Sequence, residues 1–115
     1  MKTTKKYKIK VRLWIEETEG PFLGIGKIWL LENIRKTGSI TNAAKEMKMA
    51  YRQAWQLVKE MNQRAENPLV EKILGGKGGG GARLTPAGEK AIATFYEIEK
   101  RINDFAEKET QNLKF

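Results

Sequence analysis

Three features of the 115-residue sequence predict a mainly helical fold with a small β component, of the α+β class. From Gly38 to Gln63 a short alanine-rich helical pattern, a sharp turn and a longer amphipathic pattern follow one another. Beyond Pro68 two strand-like runs flank a glycine tongue at residues 75–81, and an apolar seam at helical spacing closes the chain. Together these lay out a winged helix-turn-helix with an N-terminal strand, a β-hairpin wing and a long C-terminal dimerisation helix. The expected organisation is a single winged-helix DNA-binding domain over 1–115: strand 6–16, three-helix core 26–67, wing 69–85 and dimerisation helix 86–109.

Each element has its own signal. Tyr7, Ile9, Val11, Leu13 and Ile15 alternate with Lys6, Lys8, Lys10, Arg12, Trp14 and Glu16, the period of a strand with one buried face, and Gly20-Pro21 ends it. Ile28, Leu31 and Ile34 share one face of a first helix over about 26–36, with Gly38 suited to the position after its end. A second helix over about 42–47 takes Thr41 as its N-cap and turns Ala43, Ala44 and Met47 inward. In the third, near 51–66, Tyr51, Ala54, Trp55, Val58, Met61 and Ala65 recur at core spacing. Thr85-Pro86 opens the last helix with a capping hydroxyl and a proline at its first position. Along it Ala91, Phe95, Ile98, Ile102 and Phe105 form a seam suited to pairing with a second copy.

Composition narrows the chemistry. Cysteine and histidine are absent, which removes thiolate nucleophiles, imidazole bases and the usual soft metal ligands. No paired carboxylates stand out, so neither an enzyme nor a cofactor or metal site is expected. No apolar run approaches the roughly 20 residues of a membrane span. The basic N-terminus is followed by a run broken by Lys8, Lys10 and Arg12, unlike a signal peptide, so a cytoplasmic protein is expected. The net charge of +8 is uneven. Residues 1–12 hold six basic groups and no acidic one, and residues 27–83 hold eleven basic against five acidic. The excess therefore coincides with the arm, the helix-turn-helix and the wing, as a polyanion partner requires.

The glycine tongue formally satisfies G-x-G-x-x-G, but Ala82-Arg83-Leu84 continues as strand rather than opening a helix, so it is no dinucleotide fingerprint. Its bare backbone suits close approach to DNA, with Lys77 and Arg83 supplying charge, unless it is only a loose hairpin tip. On the third helix Arg52, Gln53, Gln56 and Lys59 lie opposite the core positions. Arginine pairs bidentately with guanine and glutamine with adenine, so Arg52, Gln53 and Gln56 are the expected base readers. Ser39, Thr41, Lys59, Lys77 and Arg83 are expected on the phosphate backbone. Tyr51 and Trp55 could stack on bases, but their spacing favours the core.

These residues carry a resemblance. Gly38-Ser39-Ile40, Ala44-Lys45, Tyr51, Ala54-Trp55, Glu60-Met61-Asn62, Leu69-Val70-Glu71, the run from Gly75 to Ala82, Leu84-Thr85 and Gly88 resemble the DNA-binding domain of the ModE family, the molybdate-responsive regulators. The Gly-Ser-Ile…Ala-Ala segment also resembles the helix-turn-helix of LysR-type regulators. The resemblance implies a homodimer on double-stranded DNA, a recognition helix opening at Tyr51, and dimer contacts from the first strand (Ile9, Val11, Leu13) and the last helix. Ala50 stands where the family often has serine. The family's molybdate-binding domains have no counterpart in these residues, so oxyanion sensing is not implied. The resulting expectation is a sequence-specific transcriptional regulator on a palindromic site. A DNA-binding module docking a separate sensor protein and a nonspecific architectural protein stand as alternatives.

Overall fold

A computed structural model describes residues 6–74 and 81–115. The order of elements is β1 (Trp14–Glu17), β2 (Gly20–Gly24), α1 (Ile25–Thr37), α2 (Ile40–Glu46), α3 (Tyr51–Arg64), β3 (Val70–Ile73), β4 (Gly81–Leu84) and α4 (Pro86–Gln111). This is the winged helix-turn-helix that the sequence predicts. Ile28, Leu30, Leu31 and Ile34 of α1 are buried among Ala43 and Ala44 of α2, Ala54, Val58 and Met61 of α3, and Ile92 and Phe95 of α4. The alanines let α2 approach α1 and α3 without bulk between the backbones.

The N-terminal strand is shorter than expected. Strand pairing begins only at Trp14, and β1 returns at once as the unanticipated β2, with Ile15 opposite Leu23 and an irregularity before Glu16 pairs with Pro21. Gly20-Pro21 therefore lies inside the second strand rather than ending the first. Proline is tolerated there because this two-stranded ribbon leaves an outer edge that needs no N–H donor. Arg64, at the end of α3, reaches back to this hairpin. Its guanidinium lies 3.7 Å from the Glu17 carboxylate, and a Cβ on Gly20 would come within 2.7 Å of it. The hydroxyl of Thr18 and the N–H of Glu19, with a smaller contribution from Arg64, hold the Glu17 carboxyl below the usual range.

Residues 7–11 instead run beside the end of α4, while Leu13 packs on the main core. The Ile9 N–H donates to Thr110 Oγ1 at 3.0 Å, and Tyr7 meets Phe115 edge-to-face with centroids 5.2 Å apart. Ala106 and Thr110 are buried, although neither belongs to the main core. At 1.5 Å per residue the helix is about 39 Å long, so its far half leaves the body. The radius of gyration, 17.8 Å, exceeds the roughly 13 Å of a compact chain this size.

That departure divides the expected seam. Ala91 packs on the main core and Phe95 is fully buried in it, because the first turns of α4 lie across α1. Phe95 is thus an internal residue rather than one open to a second copy. Ile98 and Ile102 are half-buried, and Phe105 is 65% exposed. Of the arm residues, Ile9 and Leu13 are half-buried and Val11 is exposed. Tyr96 turns the other way, donating to Glu32 at 2.9 Å. Burial, and then the Glu32 carboxylate, push its hydroxyl above the ordinary tyrosine range. Among the described residues no helix is long and apolar enough to cross a membrane.

Candidate nucleic-acid interface

The interface is built from three junctions. At the first, α1 ends on Gly38 at φ 72°, the left-handed conformation glycine adopts most easily. Its carbonyl accepts the Ala82 N–H of β4 at 2.9 Å. A Cβ on Gly81 would lie 2.5 Å from the same oxygen, so only glycine allows the wing to close against this turn. Ser39, not Thr41, caps α2: its Oγ accepts the Asn42 N–H at 3.0 Å. Helical pattern alone did not separate two hydroxyl residues two positions apart. Thr41 sits exposed in the first turn.

At the second junction α2 turns into α3 over residues 47–50. The Met49 N–H donates to Ala44 O at 2.9 Å and the Lys48 N–H to Lys45 O at 3.1 Å. This Schellman pattern places Lys48 at φ 53°, a left-handed conformation unusual for a residue with a side chain. Ala50 precedes α3 without a side-chain cap.

The third junction fastens the wing to α3 through Asn62. Its Oδ1 accepts the N–H groups of Leu69 at 2.8 Å and Val70 at 3.2 Å, while its Nδ2 donates to Val70 O at 2.9 Å. One side chain thereby satisfies three backbone groups where the chain enters β3. Thr85 completes the base, donating its hydroxyl to Pro68 O at 2.6 Å and accepting the Gly88 N–H at 3.0 Å.

On this frame α3 buries Ala54, Val58 and Met61 and exposes Arg52, Gln53, Gln56, Lys59 and Gln63. Arg52 and Lys59 carry no salt bridge among the described residues. Gln56 donates to Glu60 at 3.2 Å. Tyr51 and Trp55 depart from the core expectation: Tyr51 is 49% exposed and Trp55 half-buried. The helix begins before the core does, so its first turn stands over the wing instead. There the Trp55 indole N–H donates to the Tyr51 hydroxyl.

The wing strands pair Glu71 with Arg83 and Lys72 with Ala82. Arg83 is engaged with Glu71 at 2.9 Å on the outer face. Lys72, which no sequence motif marks, lies on the inner face with its ammonium 4.1 Å from the centre of the Trp55 ring. Counting by twos from the buried Val70 would have found it. Lys77 lies outside the described residues, as does most of the glycine tongue. No cluster among the described residues could hold a metal ion.

A short helix, a tight turn and an exposed polar helix beside a two-stranded wing define a helix-turn-helix DNA-binding domain. The chain belongs to the bacterial regulatory helix-turn-helix proteins of the lysR family, whose family model matches residues 26–89. It is 47% identical over 83 residues to the molybdenum-pterin-binding protein MopB of Rhodobacter capsulatus, covering 72% of this chain and 31% of that protein. To the DNA-binding transcriptional dual regulator ModE of Escherichia coli K12 it is 46% identical over 69 residues, 60% of this chain and 26% of the relative. To the molybdenum transport protein ModE of Azotobacter vinelandii it is 38% identical over 88 residues, 76% of this chain and 33% of the relative. The matched segment spans a third or less of these relatives' length.

Proposed function

We propose that the chain acts in transcriptional regulation by binding a palindromic duplex site as a homodimer. The observation that carries this reading is the outer face of α3. Arg52, Gln53 and Gln56 are exposed together in its first half, where a recognition helix meets base edges in the major groove. Ser39, Thr41 and Lys59 flank them as backbone contacts, Tyr51 opens the helix beside them, and Arg83 exchanges Glu71 for phosphate. A surface ion pair of that kind is worth about 0–1 kcal/mol, so the exchange is inexpensive.

The dimer reading rests on the far half of α4 and the arm. Ile98, Ile102 and Phe105 of the helix, with Ile9, Val11 and Leu13 of the arm, are the half-buried or exposed apolar side chains it uses. Two recognition helices then enter successive major grooves about 34 Å apart. The molybdenum-related names of the relatives describe proteins far longer than the matched segment. Only their DNA-reading part is extended to this chain.

Capture of genomic fragments by the purified chain at near-physiological salt, followed by sequencing, tests the proposal. Enrichment of a palindrome, with a dimeric mass by light scattering, is the expected outcome. Retained DNA without a shared motif would favour a nonspecific architectural role. A monomer that binds specifically only after a second protein is added would favour a docking module.

A further inference from the structure

The inner face of the wing carries a charge where its register calls for an apolar residue. Val70 and Ala82 are buried, and Lys72 lies on their side of the hairpin, opposite Ala82. Its ammonium projects over the Trp55 ring rather than toward a carboxylate, and it has no salt bridge among the described residues. It borders an open groove of about 260 Å³ between the start of α2, the start of α3 and the wing. Among the described residues no acidic side chain lines this groove. The wing's own carboxylate, Glu71, faces away and is engaged with Arg83.

The hydroxyl groups at the groove keep protons to give. Ser39 Oγ and Tyr51 Oη each accept a hydrogen bond, from the Asn42 N–H and the Trp55 indole N–H, so each O–H is left to donate outward. Thr41 adds a third hydroxyl. An ammonium and three hydroxyl donors, with no competing carboxylate, match the oxygens of a phosphodiester. Trp55 would hold the ammonium in place without neutralising it, since a cation–π contact leaves the charge intact.

We propose that this groove seats one backbone phosphate of duplex DNA and that Lys72 is the residue that binds it. The inference rests on the DNA-binding reading above and adds a contact that joins recognition helix and wing on one phosphate. A purely structural role, Lys72 as a clasp between wing and Trp55, predicts altered stability but unaltered electrostatics of binding.

The test compares wild-type, Lys72→Gln and Lys72→Arg chains on duplexes at several salt concentrations, and on duplexes carrying single neutral methylphosphonates. Lys72→Gln should weaken every sequence alike and make the slope of log K against log salt shallower by about 0.9. The ratio of wild-type to variant affinity should thus fall about threefold between about 50 and about 200 mM salt. One methylphosphonate position should weaken the wild type more than it weakens Lys72→Gln, which keeps only the hydroxyl contacts to lose, and Lys72→Arg should restore the wild-type slope. An unchanged slope, a loss confined to particular base pairs, or the absence of any such position would overturn the proposal while DNA binding stood. A wild-type chain that bound no duplex would overturn both readings.

Discussion

Replacing Asn62 tests how the wing is held in register with α3. Its side chain makes hydrogen bonds of 2.8, 3.2 and 2.9 Å to the N–H of Leu69 and to the N–H and C=O of Val70. Both residues are nearly inaccessible, 3% and 4% exposed. A buried backbone group left without a partner costs about 1–3 kcal/mol. Water can reach some of this half-buried site, so the lower end of that range applies, and Asn62→Ala should lose about 2–4 kcal/mol in all. At roughly 4 °C per kcal/mol for a chain this size, the melting temperature should drop by about 8–16 °C. Asn62→Leu separates hydrogen bonding from packing, because it keeps the volume and removes only the polar partners. Urea unfolding followed by circular dichroism should show both variants destabilised to a similar degree. Wild-type stability in Asn62→Leu, or a loss below about 1 kcal/mol in Asn62→Ala, would refute the argument.

Three further outcomes follow from the same geometry. Gly88→Ala should destabilise by about 2 kcal/mol despite alanine's better helix propensity, because its Cβ would lie 2.2 Å from Leu69 O; thermal unfolding reads this directly. Lys48→Gly should leave stability equal or up to about 1 kcal/mol higher, since relief of the left-handed conformation outweighs the extra freedom of the unfolded glycine. Lys48→Val should be less stable than wild type in the same denaturation series. Thr110→Val removes the acceptor for the Ile9 N–H at a cost of about 1 kcal/mol; trypsin should then cut faster at the arm's Lys8, Lys10 and Arg12, with the rest of the chain no more sensitive.

Much of this architecture is legible in the sequence, because α3 and α4 carry strong helical periodicity and Thr85-Pro86 marks a helix start without ambiguity. Periodicity does not say where a helix leaves the core. Tyr51 and Trp55 therefore read as core but stand over the wing, while Phe95 reads as seam but is buried within the subunit. Alternation over 6–16 is likewise real, yet it does not reveal what the strand pairs with. Residues 7–11 lie beside α4, and only Trp14–Glu17 find a ladder, in a hairpin whose second strand holds the proline that reads as a stop. Of the candidate interface, the outward face of α3 follows from simple helix geometry. The Asn62 clasp joins residues seven and eight positions apart across an irregular segment, and no local pattern encodes it. Lys72 is legible only once the wing's inner face is fixed by Val70.

The central claim, that α3 reads base sequence through Arg52, Gln53 and Gln56, is tested most directly by one ratio. This is the affinity for a duplex selected from a random library over that for its scrambled counterpart, measured for wild type and Arg52→Ala at a single near-physiological salt concentration. A wild-type ratio of at least about 10³ is expected. Arg52→Ala should lower it by the roughly 1–3 kcal/mol of one bidentate contact, with discrimination lost at one base-pair position. A wild-type ratio near unity, or an Arg52→Ala variant that weakens selected and scrambled duplexes equally, would contradict it.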